Sequence, residues 1–170
     1  WPDLEPERSL QYDLALRRAG RLRTAFYAYR YRLTDLVERY RLGSDYFFRN
    51  RGRAVVRGLE LEAQGDLIWG LSLEVGAQAA QGEAEDGSPL ADVPPEGLTL
   101  TLRRPLGSRG DASLRGLWRA RDADPGPTEK ETPGYASLDL SGRWRFGRLE
   151  ARLLLSNLLD QDYLQTPDEL

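Results

Sequence analysis

Apolar and polar residues alternate with a period of two in stretches about ten residues long, repeated down the whole chain, and this narrows the fold more than any other feature. Successive side chains of a strand point to opposite faces, so each such stretch becomes a strand with one apolar and one polar side. The clearest is Arg148 to Tyr163, RLEARLLLSNLLDQDY. Leu149, Ala151, Leu153 and Leu155 fall on one face, and Glu150, Arg152 and Ser156 fall on the other. The strand ends at Asn157-Leu158-Leu159-Asp160, where Asn and Asp side chains satisfy nearby backbone groups and stop regular pairing.

In chain order, Pro2 and Pro6 hold an extended start. A strand begins near Ser9, with Leu10, Tyr12, Leu14 and Leu16 alternating with Gln11, Asp13 and Arg17. After a turn at Arg18 to Arg21, the pattern predicts one long aromatic strand from Leu22 to Tyr40, with Tyr27, Tyr29, Tyr31 and Leu33 on one face and Arg30 and Arg32 on the other. Leu42 to Gly52 reads as a loop. Val55, Leu59, Leu61 and Ala63 then alternate with Glu60, Glu62 and Gln64, and the strand stops at Gly65-Asp66. The next rows are Leu71, Leu73, Val75, Ala77 and Ala79, then Leu98, Leu100 and Leu102, then Leu114, Gly116, Trp118 and Ala120. Last comes Leu138, Leu140, Trp144 and Phe146 against Asp139, Ser141, Arg143 and Arg145. Gln81 to Gly97 and Asp122 to Gly134 are long loops, and Pro105 to Gly110 is a short turn.

Connections therefore alternate between short and long, which gathers the long loops at one end of the sheet and the tight turns at the other. The strand length is close to the ~9–11 residues that carry a tilted strand across a bilayer core. The expected fold is all-β: an antiparallel transmembrane β-barrel sheet of about eight strands, apolar side chains toward lipid and rows of Arg, Glu and Asp toward the interior. A soluble β-sandwich serving as a binding module shares the alternation and stands as an alternative.

At 170 residues one domain is the default. The charged residues, 30% of the total, are spread among apolar ones, which argues against disorder. No run approaches the ~20 apolar residues of a spanning helix. Trp1-Pro2-Asp3 has neither the basic nor the apolar region of a signal peptide, so the expectation is a chain whose signal was removed or a piece of something longer. Without cysteine there is no disulfide or thiolate metal site, and without histidine the commonest transition-metal ligand and general base are missing. No catalytic, cofactor-binding or metal-binding residue is assigned, and no enzyme is expected. The net charge of -3 gives no overall attraction to nucleic acid.

Two motifs at opposite ends carry a resemblance. Trp1 to Glu7, WPDLEPE, is similar to an N-P-[DN]-L-K-P-E segment of TonB-dependent outer-membrane receptors, with Trp1 and Glu5 departing from it. Asn157 to Tyr163, NLLDQDY, resembles the N-L-[LF]-D-x-x-Y that follows their penultimate barrel strand; Asp35 to Tyr40 and Thr132 to Tyr135 add to the likeness. The resemblance implies that residues 1–170 are a C-terminal portion of a barrel of about twenty-two strands, with the plug domain, the TonB-engaging box and the last strand outside it. It also implies an outer-membrane location, lipid and the TonB complex as partners, and energy-coupled uptake of a scarce ligand such as a ferric siderophore or cobalamin. The extracellular loops would help hold that ligand, with no ligand-binding residue assigned. A self-contained eight-stranded barrel with a structural or adhesive role is the other alternative.

Several tempting sites read as structural. Arg109-Gly110-Asp111 matches an adhesion tripeptide but falls in a tight turn. Glu83-Ala84-Glu85-Asp86 lacks the spacing of a calcium loop. Asp139 and Glu150 share a side with Arg143, Arg145 and Arg152, which makes a charge ladder the expectation there. Tyr40, Tyr46, Phe47, Phe48, Trp69, Tyr135, Trp144 and Phe146 sit near strand ends, where an interfacial girdle would place them.

Overall fold

The computed structural model describes residues 4–163, so Trp1, Pro2 and Asp3 of the first motif lie outside the described residues. The described residues form ten strands: β1 Arg8–Arg18, β2 Leu22–Thr34, β3 Val37–Leu42, β4 Asp45–Asn50, β5 Ala54–Asp66, β6 Ser72–Ala84, β7 Gly97–Leu106, β8 Gly110–Arg119, β9 Tyr135–Phe146 and β10 Leu149–Leu155. Eight of them build one antiparallel sheet in the order β1-β2-β5-β6-β7-β8-β9-β10, and β3 and β4 pair only with each other. Every strand of the large sheet thus lies beside its neighbour in the chain, apart from the inserted hairpin. The sheet is open, with β1 and β10 as its edges.

Register sets the two faces, because residues directly opposite one another point to the same side. One row runs Leu16, Phe26, Leu61, Ala77, Leu98, Trp118, Ala136 across seven strands, and it is apolar throughout. The neighbouring row on the opposite face runs Ala15, Tyr27, Glu60, Gln78, Gly97, Arg119, Tyr135. The apolar belt also slides along the strands. Leu16 is near the turn end of β1's belt, yet Ala136 in the same row is the loop-end member on β9. A belt that drifts in this way belongs to strands tilted against the plane it defines.

Short connections at 19–21, 67–71, 107–109 and 147–148 alternate with long ones at 35–53, 85–96 and 120–134, as the sequence predicts. Gly107 and Gly147 take φ of 66° and 62°, a left-handed conformation that glycine adopts at little cost in a tight turn.

The predicted strand from Leu22 to Tyr40 is broken. Asp35 takes φ of 57°, and the Asn50 side-chain amide donates to the Asp35 carbonyl at 2.6 Å and to that of Glu5 at 2.9 Å, holding the chain in a bend. Beyond it the predicted loop Leu42 to Gly52 is mostly strand. Gly43-Ser44 connects β3 to β4, and Tyr40 faces Phe47 with ring centroids 5.8 Å apart.

Among the described residues the buried apolar side chains sit at the loop-end margin of the sheet, not along its apolar belt. Ala54, Ala84 and Leu90 form a small cluster, with Leu33, Leu36, Val56 and Val93 packed against it. Leu14, Leu16, Leu59 and Leu153, by contrast, are each more than half exposed.

Candidate functional site

The three long connections fold onto one another and onto the loop end of the polar face. Arg51, just after the β3–β4 hairpin, is the main fastener. Its guanidinium is nearly buried, pairs with the buried Glu38, donates to Ser88 Oγ and to the Pro89 carbonyl at 3.3 Å, and lies 3.7 Å from Asp86. Arg49 lies 3.7 Å from the other oxygen of Glu38. Hydrogen bonds to the Asp86 carboxyl from the Ser88 hydroxyl and backbone N–H, helped by Arg51, hold it below the usual carboxylate range. The last long connection joins through Glu129, whose carboxylate accepts from the N–H of Asp92 at 2.9 Å and from that of Gly126 at 2.8 Å. Arg39 of the hairpin donates to Thr128 Oγ1 at 3.4 Å.

Between the 85–96 and 120–134 connections lies a cavity of about 340 Å³ whose walls include Gln78, Asp92, Arg119, Glu129 and Tyr135. Both acids and a guanidinium line it, so it suits a polar solute. A shallower hollow of about 610 Å³ lies beside it, lined by Gln81, Glu83, Pro89, Arg121 and Asp124 among others.

Further along the polar face, charge separates by strand. β1, β2, β5 and β6 carry Asp13, Glu60, Glu62, Asp66 and Glu74 against Arg17 and Arg23; β7 to β10 carry Arg103, Arg115, Arg119, Arg143, Arg145 and Arg152 against Asp111, Asp139 and Glu150. The charge ladder expected on β9 and β10 is present. Arg143 donates to Asp111 at 2.9 Å, while Glu150 accepts from Arg145 at 3.2 Å and from Arg152 at 2.7 Å. Asp139 and Glu150 share this face but stand six residues apart in register, roughly 20 Å along the strand. Asp139 instead accepts from the Asn157 N–H at 2.9 Å and so fixes the end of β10. The adhesion-like tripeptide has its Asp111 in this ladder, and among the described residues no group of three or more acidic side chains comes together to hold a metal.

Two expectations about faces are corrected. The expected split of β2 holds, with Tyr27, Tyr29, Tyr31 and Leu33 on one face and Arg30 and Arg32 on the other, but the tyrosines take the polar face, where Tyr29 stacks on Tyr31 and Tyr31 donates to Asp13 at 3.1 Å, and the two arginines, expected with the Arg rows toward the interior, take the apolar one. The reversal follows from register, since Ala28 and Phe26 pair with Leu14 and Leu16. Among the proposed girdle aromatics, Tyr135 is on the polar face stacked on Tyr163 at 4.4 Å, and Tyr40, Tyr46, Phe47 and Phe48 belong to the hairpin. Trp144 and Phe146 do sit on the apolar face at the turn end, with Trp69 in the 67–71 connection. Trp118, which the sequence placed only as one more apolar position, occupies the loop-end edge of the same face.

An antiparallel meander whose outer row is apolar, whose other face is charged, and whose long loops all lie at one end defines the outer-membrane type of β-barrel sheet. The sequence matches the model of the TonB dependent receptor-like, beta-barrel family over residues 2–158, and the chain belongs to that family. The family consists of outer-membrane transport receptors rather than enzymes. Similar solved structures include the copper transporter OprC, with a TM-score of 0.84 and 22% identity over 96% of this chain and 26% of that one. The ferric yersiniabactin uptake receptor FyuA from Yersinia pestis gives 0.76 and 22%, covering 92% and 26%. The siderophore receptor PirA from Acinetobacter baumannii gives 0.73 and 13%, covering 94% and 28%. The chain therefore spans about a quarter of each structure it resembles, and the likeness is one of fold. No curated protein matches it.

Proposed function

We propose that residues 1–170 are a C-terminal portion of a larger receptor barrel that spans the outer membrane and takes up a scarce small ligand, such as a metal chelate, by coupling to TonB. The observation that carries this reading is the exposed apolar belt that runs from Leu14 on β1 to Leu153 on β10, set against a charged face and a built loop end. In this reading lipid covers the apolar face, further strands extend both edges, and the plug lies outside the chain. The cavity lined by Asp92, Arg119, Glu129 and Tyr135 opens at the loop end of the polar face, where a ligand would enter.

Topology in cells tests it. Epitope tags within Asp45 to Arg51, Glu83 to Glu96 or Asp122 to Pro133 should label on intact cells, and tags near Gly20, Gly65, Gly107 or Gly147 should not. Labelling at both sets rejects the topology.

A further inference from the structure

On the apolar face, Arg30 of β2 stands directly opposite Arg57 of β5. The full row is Tyr12, Arg30, Arg57, Gln81, with no acid in it, and Arg32 lies two residues beyond Arg30 on the same face. Like charges set opposite one another destabilise a sheet. The polar face contains a comparable pair, Arg143 opposite Arg152, and there Asp111 and Glu150 supply carboxylates to both. Arg57 has only the neutral Gln81 oxygen at 3.0 Å, and Arg30 has no hydrogen-bond or ion-pair partner among the described residues. Glu83 stands diagonally across from Arg57 on β6 and makes no ion pair with it. Glu7, near the start of β1, is occupied by the Val37 N–H at 3.2 Å.

Position supplies the second observation. Arg30 and Arg57 lie two residues, or about 6–7 Å, beyond Ala28 and Leu59 toward the loop end, where the continuous apolar rows of these strands give way to a row of Arg32 opposite Val55. That is the depth at which the headgroups begin if the belt lies in hydrocarbon. Guanidinium forks match phosphate oxygens, and basic clusters at this level attract anionic lipids. A polar solute travelling along the other face would not meet them.

We propose that Arg30 and Arg57, with Arg32 beside them, bind the phosphate of an anionic lipid headgroup at the loop-end margin of the apolar belt. The proposal rests on the reading that this face meets lipid.

The test uses the full-length receptor carrying this chain, reconstituted in mixed phosphatidylcholine and phosphatidylglycerol, with retained lipid counted by native mass spectrometry. Heat-modifiable gel mobility reports insertion. Wild type should retain phosphatidylglycerol selectively, and R30Q/R57Q should lower that retention on the order of tenfold while still inserting. R30K/R57K should keep most of it, and R115Q on the polar face should change nothing. Undiminished retention by an inserted R30Q/R57Q, equal retention of phosphatidylcholine by wild type, or displacement by millimolar inorganic phosphate would each overturn the proposal and leave the membrane reading standing. Failure of wild type to insert would remove both.

Discussion

The loop end and the sheet are built for different surroundings. At the loop end Ala54, Ala84 and Leu90 are buried, Arg51 and Glu38 pair away from water, and backbone groups find partners both within a connection, as when the Arg51 N–H donates to the Leu36 carbonyl at 2.7 Å, and between connections, as when the Glu85 N–H donates to that of Arg53 at 2.9 Å. The sheet has no such interior; its backbone is paired strand to strand, while its large apolar side chains are left uncovered. The loop end thus buries apolar groups of its own, whereas on the proposed membrane reading the leucine rows of the sheet become favourable only against an apolar medium.

The largest expected effect is on the sheet's edges. An open sheet in lipid leaves two rows of unpaired backbone groups at several kcal/mol each, so the isolated chain should misassemble or close on itself. An eight-stranded lumen is just wide enough to be filled by side chains, so liposomes containing this chain alone should show no siderophore uptake. Selective uptake would break the comparison outright. Next come the faces. Leu153→Arg or Leu140→Arg should cost ~2–4 kcal/mol near the midplane in vesicle folding assays, and Arg152→Gln on the charged face should be mild. Equal sensitivity of the two faces would mean that lipid does not discriminate them.

The cap should respond locally. Arg51→Met strands the buried Glu38 and frees Ser88 and Pro89, a local loss of ~1–3 kcal/mol that hydrogen exchange would register in residues 85–96 without altering the sheet. A global change in sheet protection would show that cap and sheet are a single unit. The smallest effect is that of acid. Because the carboxyl of Asp86 is held below its ordinary value, its contribution is complete above about pH 4 and is lost as the pH falls through the lowered value. Exchange in 85–96 should rise only in that acidic window, and Asp86→Asn should remove the dependence.

Most of the sheet was legible because period-two alternation and turn residues are local signals. Leu149 to Leu155 needs nothing beyond its own sequence to declare two faces. The β3–β4 hairpin was missed because Tyr46-Phe47-Phe48 does not alternate, although Gly43-Ser44 between aromatic runs is a hairpin signal. That Tyr27, Tyr29 and Tyr31 share a face is legible, but which side that face takes is not, because tyrosine is amphipathic and only pairing with Asp13 and Glu60 fixes it. Arg51's partners Ser88 and Pro89 are 37 and 38 residues away, and no local pattern announces such a contact. Arg30 and Arg57 become a pair only through register.

The nearest-neighbour order of the large sheet also governs how it can be made. Each strand after the first finds its partner in the strand just before it, with only the 35–53 connection asking for a longer search. Closing short loops is fast and entropically cheap compared with joining distant segments. Construction can therefore advance one hairpin at a time from either end, each new strand being offered a finished template. If, as proposed, further strands extend the sheet, the one step with no template inside this chain would be their joining to β1 and β10, and the timing of assembly would be decided at the two margins of the sheet.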